Sequence, residues 1–246
     1  MKRHWSIKVG AAILIFISVI GIYSLGYKNP SRQNRVFGVS FMTMNNPFYE
    51  VINNELWKVI ENSGDALITL DPVLDIKKQN EQIQYFIDKK VDGIFINPID
   101  SEAVKPALEK AKKAGIPIIA VDAPVKNSEL VNVTVVSDNY DAGVQCAKDM
   151  MARFEQAKII LLKHTATKSA KDRIDGFLAT IKGHEQYQVV NQGECQGQLE
   201  KAMPLMEEML KKTPDVDVVM ALNDPSALGA IAALEEVDRP EVKVYG

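Results

Sequence analysis

The chain has 246 residues, of which 46% are hydrophobic and 25% are charged, and its formal net charge is −3. This composition is that of a folded globular protein, and the length fits one large domain or two of ordinary size. Because there is no basic excess, the sequence predicts no nucleic-acid partner. The two cysteines, Cys146 and Cys195, show no CxxC or metal-ligand spacing, so free thiols are favoured over a disulfide.

The amino end has the pattern of an export segment. Three basic residues lie within the first eight positions, and residues 9–27 then carry no charge. An apolar run of about 18 or more residues can cross a bilayer as a helix, whereas a signal peptide has a shorter apolar core. Glycines and serines dilute the run, so residues 1–27 fit an uncleaved membrane anchor or a cleaved signal peptide, with the anchor favoured. Either segment exports the rest of the chain, which follows a polar tether at 28–35.

From residue 36 onward, short apolar runs alternate with longer amphipathic ones. Strands are predicted at 36–41, 66–71, 93–98, 117–123, 133–138, 158–164, 187–193, 216–223 and 242–246. Helices are predicted near 47–63, 76–90, 102–114, 139–155, 169–182, 199–212 and 225–237. This alternation indicates an α/β fold with parallel sheets buried on both faces. One strand pair, 117–123 and 133–138, has no helix between its members, so the chain is expected to change sheets there.

Polar and aromatic side chains follow the predicted strands, at the edge where open α/β sheets bind their ligands. In chain order they are Asn45, Asn46, Phe48, Tyr49, Asp71, Asn97, Asp100, Asp122, Asp138, His164, Lys168, Lys171, Asn223 and Asp224. Helix capping accounts for Asp138, Ser101 and Asp224, and turn formation accounts for Asp71. Capping does not explain two aromatic rings beside two amides at 45–49.

This set of side chains suits a carbohydrate. Carboxylates and amides bind adjacent hydroxyl groups, and aromatic rings cover the apolar faces of a sugar. The sequence lacks GxxxxGK[ST] and GxGxxG, so it predicts no nucleotide cofactor, and no spacing predicts a metal site. An enzyme is the alternative from a different class, with His164 as a candidate cleft residue. Because no GxSxG, HExxH or Cys-His signature is present, the sequence favours a binding protein over an enzyme.

Several segments in a fixed order resemble one protein family. NNPFY, INPIDSEAV, VDAPV, VVSDN and ALNDPSALGA are similar to segments of the ribose-binding-protein-like branch of bacterial type I periplasmic solute-binding proteins, which serve sugar ABC importers. The resemblance covers residues 36–246. It implies two Rossmann-like lobes with parallel sheets, at 36–136 and 137–246, which close over one ligand. The family pattern continues past residue 246, so the second lobe is expected to be incomplete.

The resemblance also implies the ligand contacts. They are Asn46, Phe48 and Tyr49 after the first strand, Asn97, Asp122, and in the second lobe Lys171 and Asn223. The family pattern has an arginine where this chain has Ala123, and a second arginine where Lys168 or Lys171 stands. Lysine lacks the bidentate fork of arginine. An aromatic residue expected after the seventh strand is also missing, so the implied ligand is a ribose-like pentose, a hexose or a related furanose.

Two outputs follow from the resemblance. The first is capture of a monosaccharide for delivery to the permease of an ABC importer. The second depends on an uncleaved membrane anchor, with which the protein would be a sugar sensor that presents its ligand-bound state to a membrane histidine kinase.

Overall fold

Strands and helices alternate along residues 34–246, which are the residues that this computed structural model describes, and the predicted α/β fold is confirmed. The export segment predicted at 1–27 and most of the tether lie outside the described residues. All elements below belong to the unit Arg35–Gly246. Among the described residues, no helix has both the length and the apolar character that a membrane span needs.

The first sheet has five strands, which are β1 (Val36–Ser40), β2 (Ala66–Leu70), β3 (Gly93–Ile96), β4 (Ile118–Val121) and β5 (Val133–Val135). They are parallel and lie in the order β2-β1-β3-β4-β5. Three helices connect them, α1 (Pro47–Asn62), α2 (Ile76–Asp88) and α3 (Lys105–Lys113). We call this part of the chain the first lobe.

The change of sheet does not occur where the sequence predicted it. β5 pairs in parallel with β4, with Ala120 opposite Thr134, so the prediction that the chain leaves the first sheet between these strands is wrong. The connection at 122–132 contains only a short 3-10 turn, Ser128–Leu130. It is long enough to return the chain to the start of a parallel strand, which does not require a helix.

The second sheet has four parallel strands, β6 (Ala157–Lys163), β7 (Tyr187–Glu194), β8 (Val218–Ala221) and β9 (Lys243–Tyr245), in the order β7-β6-β8-β9. Its helices are α4 (Asn139–Arg153), α5 (Lys168–Ile181), α6 (Leu199–Lys212) and α7 (Asp224–Glu236). All four residues of β8 are buried, as expected of a central strand covered on both faces. We call this part the second lobe.

Each lobe has its own hydrophobic core. In the first lobe, Phe86, Ile94 and Leu108 belong to one cluster of buried side chains, and Phe41 and Tyr49 belong to another. In the second lobe, one cluster extends from Ala147 to Val242. Among the described residues, none of these clusters mixes buried side chains of the two lobes. Cys146 and Cys195 are free thiols, and Cys195 is buried.

Candidate functional site

A cleft of about 790 Å³ lies between the two lobes. This volume falls within the range of about 300–1,000 Å³ that is usual for small-molecule sites. The first lobe lines it with the loop after β1, the first turns of α1 and the residue after β4. The second lobe lines it with residues at or near the amino-terminal ends of α4, α5, α6 and α7. The cleft therefore lies at the carboxyl edge of both sheets, where α/β proteins bind ligands.

Asn46 both caps α1 and lines the cleft. Its Oδ1 accepts a hydrogen bond from the Phe48 N–H at 3.0 Å. Its Nδ2 has no hydrogen-bond partner among the described residues and remains available as a donor to a ligand. The neighbouring amide, Asn45, does not cap the helix; its Nδ2 reaches Glu200 of the second lobe at 2.7 Å.

The two predicted rings have different environments. Tyr49 is 5% exposed, and its ring stacks on that of Phe41 with centroids 5.5 Å apart. Phe48 is 50% exposed and packs edge-on against Tyr49. Both residues line the cleft. Phe48 thus presents a free ring to a ligand, while Tyr49 is held within the core of the first lobe.

Asp122 is the half-buried carboxylate of the cleft. Its Oδ2 accepts hydrogen bonds from the Tyr49 hydroxyl at 3.2 Å and from Asn97 Nδ2 at 3.3 Å. Its Oδ1 has no partner among the described residues, which leaves one acceptor for a ligand. Its backbone is left-handed, with φ of 66°, a conformation that is uncommon outside glycine. Burial raises the pKa of Asp122, while Tyr49, Asn97 and Arg173 oppose that rise.

Asn97 donates a hydrogen bond to Asp122 and does not itself line the cleft. The side chain is fully buried, its Oδ1 accepts from the Met42 N–H at 3.1 Å, and its Nδ2 donates to the Val121 carbonyl at 3.1 Å and to Asp122. These bonds join the ends of β1, β3 and β4. Asn97 was predicted to contact the ligand, but the structure places it outside the cleft lining, bonded to Asp122.

Arg173 lines the cleft but was not predicted from the sequence. Its Nη2 donates to Asn139 Oδ1 at 3.1 Å, and its buried Nε has no partner among the described residues. The pattern of α5 contained the signal, because Ala170, Ile174 and Phe177 are buried at helical spacing and Arg173 lies on the same face. The side chain is the guanidinium that the family pattern led us to expect near this helix.

Lys171 is not brought into the cleft. Its Nζ pairs with Asp175 one turn along the same helix, and the residue is exposed. Lys168 pairs in the same way with Asp172, at 2.6 Å. Neither lysine lines the cleft. Both lie on the outer face of α5, so the structure does not bring the lysine assigned from the resemblance to the cleft, whereas Arg173 lines it.

Asn223 lines the cleft as the N-cap of α7. Its Oδ1 accepts from the N–H of Ser226 at 3.1 Å and from the hydroxyl of Ser226 at 2.7 Å. Its Nδ2 donates to the Gly197 carbonyl at 3.0 Å, which leaves one amide hydrogen for a ligand. The cap of α7 is therefore Asn223, and the capping role predicted for Asp224 is wrong.

Of the other predicted caps and turns, two are confirmed and one is wrong. Asp138 caps α4 through the Asp141 N–H at 2.9 Å, and Asp71 forms a turn through the Val73 N–H at 2.8 Å, so both predictions are confirmed. The cap predicted at Ser101 is replaced by Asp100, whose Oδ1 accepts from the N–H groups of residues 102 and 103.

His164 is the histidine of the cleft. Its Nε2 is buried without a partner among the described residues. Burial lowers the pKa of the imidazole, and the carboxylates of Glu194 and Asp100 oppose that shift. The ring follows β6, next to the segment where the Ser101 N–H of the first lobe donates to the Ala166 carbonyl of the second at 3.3 Å.

A family profile described as "Periplasmic binding protein domain" matches residues 37–246. The Ribose import binding protein RbsB of Escherichia coli is 32% identical over 207 residues, which cover 83% of this chain and 69% of that protein. The protein of the same name from Bacillus subtilis is 30% identical over 206 residues, covering 83% and 67%. The resemblance inferred from the sequence segments is confirmed.

Solved structures have the same fold. An ABC transporter solute binding protein from Mycobacterium smegmatis with bound glycerol has a TM-score of 0.81 and 33% identity, covering 87% of this chain and 75% of its own. One from Bacillus halodurans with bound myo-inositol has a TM-score of 0.81 and 27% identity, covering 89% and 77%.

Proposed function

Since the chain belongs to the family of periplasmic binding proteins, we propose that it is an extracytoplasmic solute-binding protein that captures a monosaccharide between its lobes and delivers it to an ABC importer. The relatives reported above are named for ribose import or were solved as ABC transporter solute binding proteins. The ligand is a ribose-like pentose, a hexose or a related furanose. The protein acts outside the cytoplasm. Residues 1–27 export it, as a membrane anchor or as a signal peptide.

The observation that carries this proposal is the set of free groups that converge in the cleft. Asp122 offers an unpartnered Oδ1, Asn46 an unpartnered Nδ2, and Arg173 a guanidinium with only one hydrogen bond among the described residues. Phe48 adds an exposed ring. This set matches a sugar ring. The acceptor and the donors suit its hydroxyl groups, and the exposed aromatic ring suits its C–H patches.

A thermal-shift screen of the full-length protein in mild detergent tests the proposal. Pentoses, hexoses and polyols are compared with amino acids and short peptides. A ligand present at 100 times its dissociation constant stabilises a fold by about 2.7 kcal/mol, so a bound sugar raises the unfolding temperature measurably. A shift with an amino acid or a peptide, and with no sugar, would assign the cleft to another solute class.

Substitution of single carboxylates checks the position of the site with the sugar that the screen identifies. Asp122→Ala removes the free acceptor of the cleft and leaves ligand donors unpaired, which costs about 1–3 kcal/mol of binding free energy. Asp71→Ala is the matched control, because Asp71 holds a turn outside the cleft. Equal losses in both variants would place the ligand elsewhere.

The membrane-anchored sensor stays a prediction, as does the absence of catalysis. Mass spectrometry of the mature amino terminus tells an anchored protein from a processed one. Incubation of the protein with the identified sugar, followed by product analysis, tests for turnover. Retention of residues 1–27 together with signalling through a histidine kinase would favour the sensor over the importer.

A further inference from the structure

Asn45 joins the two lobes across the cleft. Its Nδ2 donates to Glu200 Oε1 at 2.7 Å, across 155 residues of chain. The backbone N–H of Asn45 bonds to Thr43 Oγ1 at 3.1 Å, which holds the residue in the loop before α1. Since Asn46 already caps that helix, the second amide of the Asn-Asn pair is not needed for capping.

Exposed apolar side chains of both lobes line the same cleft as this bond. On the first lobe they are Phe48, 50% exposed, and Val51, 61% exposed; on the second they are Leu199, 40% exposed, and Leu228, 53% exposed. All four line the cleft together with Asn45 and Glu200. Because these side chains are exposed, an approach of the lobes that removes them from water would be favourable.

We propose that Asn45 and Glu200 form an interlobe latch that holds the lobes together in the absence of ligand, and that these four exposed side chains become covered as the lobes approach each other. The latch goes beyond the proposed function, because it does not depend on which solute is bound. It sets the fraction of protein in the closed state. Where the closed state is the one that holds the ligand, the apparent dissociation constant is the intrinsic one divided by that fraction.

Glu200 has a second, purely local role that an experiment must separate from the latch. It lies in the first turn of α6, where a negative charge stabilises the helix through its macrodipole. Two substitutions distinguish the roles. Glu200→Ala removes both the charge and the acceptor, whereas Glu200→Gln removes the charge and keeps an amide oxygen that can accept from Asn45.

Hydrogen–deuterium exchange of the full-length, ligand-free protein tests the latch. Glu200→Ala is expected to speed amide exchange by about two- to five-fold in residues 43–51, which belong to the other lobe. This is the change that corresponds to the free energy of an exposed charged contact. Asn45→Ala is expected to speed exchange in residues 196–203 to a similar extent. Glu200→Gln should keep the rates of residues 43–51 close to those of the unmodified protein.

Glu50→Ala is the matched control, because Glu50 is an acidic residue in the first turn of α1 that does not line the cleft. Its effect should stay within the first lobe. Residues 218–221 of β8 serve as an internal reference, because all four are buried inside the second lobe and none of the variants changes them. An effect of Glu200→Ala confined to the second lobe, or an equal effect of Glu200→Gln on residues 43–51, would overturn the latch.

Discussion

Asp122 has several features that are unfavourable in the ligand-free protein and that ligand binding can compensate. Its backbone is left-handed, its carboxylate is half-buried, and one of its oxygens is unpaired among the described residues. Tyr49 and Asn97 hold the other oxygen and so fix the direction in which the free one points. Strained, partly desolvated groups of this kind are typical of binding sites, where the surrounding structure maintains them.

Asp122→Asn is expected to raise the unfolding temperature of the ligand-free protein at neutral pH. Burial raises the pKa of Asp122 in the folded state. The group therefore favours folding while protonated, below its unfolded pKa of about 3.9, and this contribution is lost as the pH rises through the folded-state pKa. Thermal unfolding at neutral pH and near pH 3 checks this, because the gain should shrink at the lower pH. A loss of stability at neutral pH would mean that the bonds from Tyr49 and Asn97 outweigh the cost of burial.

Arg173→Lys is expected to weaken sugar binding although it keeps the positive charge. Lysine has a single ammonium group in place of the planar fork, so it cannot donate to Asn139 and to the ligand at once in the geometry that arginine provides. The loss should be about 1–3 kcal/mol, or roughly 5- to 150-fold in the dissociation constant, measured by titration calorimetry. Lys171→Ala is the control, since the Lys171 side chain pairs with Asp175 outside the cleft. Stronger weakening by Lys171→Ala than by Arg173→Lys would restore the assignment made from the sequence.

At the scale of elements, the close crossing of α4 and α5 determines where Arg173 lies. A Cβ added at Gly143 would lie 1.9 Å from the Arg173 carbonyl oxygen, and one added at Gly176 would lie 2.1 Å from that of Tyr140. The helices can approach this closely only because neither glycine has a side chain. The same approach brings the Arg173 guanidinium to Asn139, at the first residue of α4.

Gly176→Ala is therefore expected to push α4 and α5 apart and to displace Arg173 from the cleft. Overpacking of this kind costs about 1–3 kcal/mol of unfolding free energy, measurable by denaturant titration. Sugar binding should weaken as well. Ala179→Leu is the control, because Ala179 is exposed on the same helix and added bulk there meets solvent. Unchanged stability and binding in Gly176→Ala would show that the crossing is more tolerant than its geometry implies.

The elements were predictable from the sequence because they depend on local patterns. The helix predicted at 199–212 is α6, Leu199–Lys212, and the strand predicted at 36–41 is β1, Val36–Ser40. The features that the sequence did not predict depend on tertiary structure. The pairing of β5 with β4 is long-range, the lysine assigned at 171 turns outward while Arg173 turns inward, and the partner of Asn45 lies 155 residues away. A resemblance to a family gives the residue type expected at a site, but helix periodicity decides which side chain reaches it.

At the scale of the whole molecule, each lobe has its own hydrophobic core, and few hydrogen bonds between residues 34–246 join one lobe to the other. Among the described residues, the buried clusters separate by lobe. The hydrogen bonds between the lobes include Asn45–Glu200 in the cleft lining, Ser101–Ala166 and Thr167–Ile99. Such a molecule lets the lobes move relative to each other without disturbing either core, which is what a binding cleft that opens and closes requires.

This separation predicts how the protein unfolds. Without ligand, differential scanning calorimetry should show two overlapping transitions, with a calorimetric enthalpy larger than the van't Hoff enthalpy, because each core can melt alone. In the proposed complex a sugar contacts Asp122 on one lobe and Arg173 on the other, so unfolding of either lobe would release it. At 100 times the dissociation constant, the ligand stabilises the native state by about 2.7 kcal/mol relative to every state in which a lobe is unfolded. The first transition therefore moves up toward the second, and the two merge into one at higher temperature. In Arg173→Ala the sugar should stabilise the protein less and leave two transitions. A single transition with equal enthalpies in the ligand-free protein would mean that the contacts between the lobes already couple the two cores.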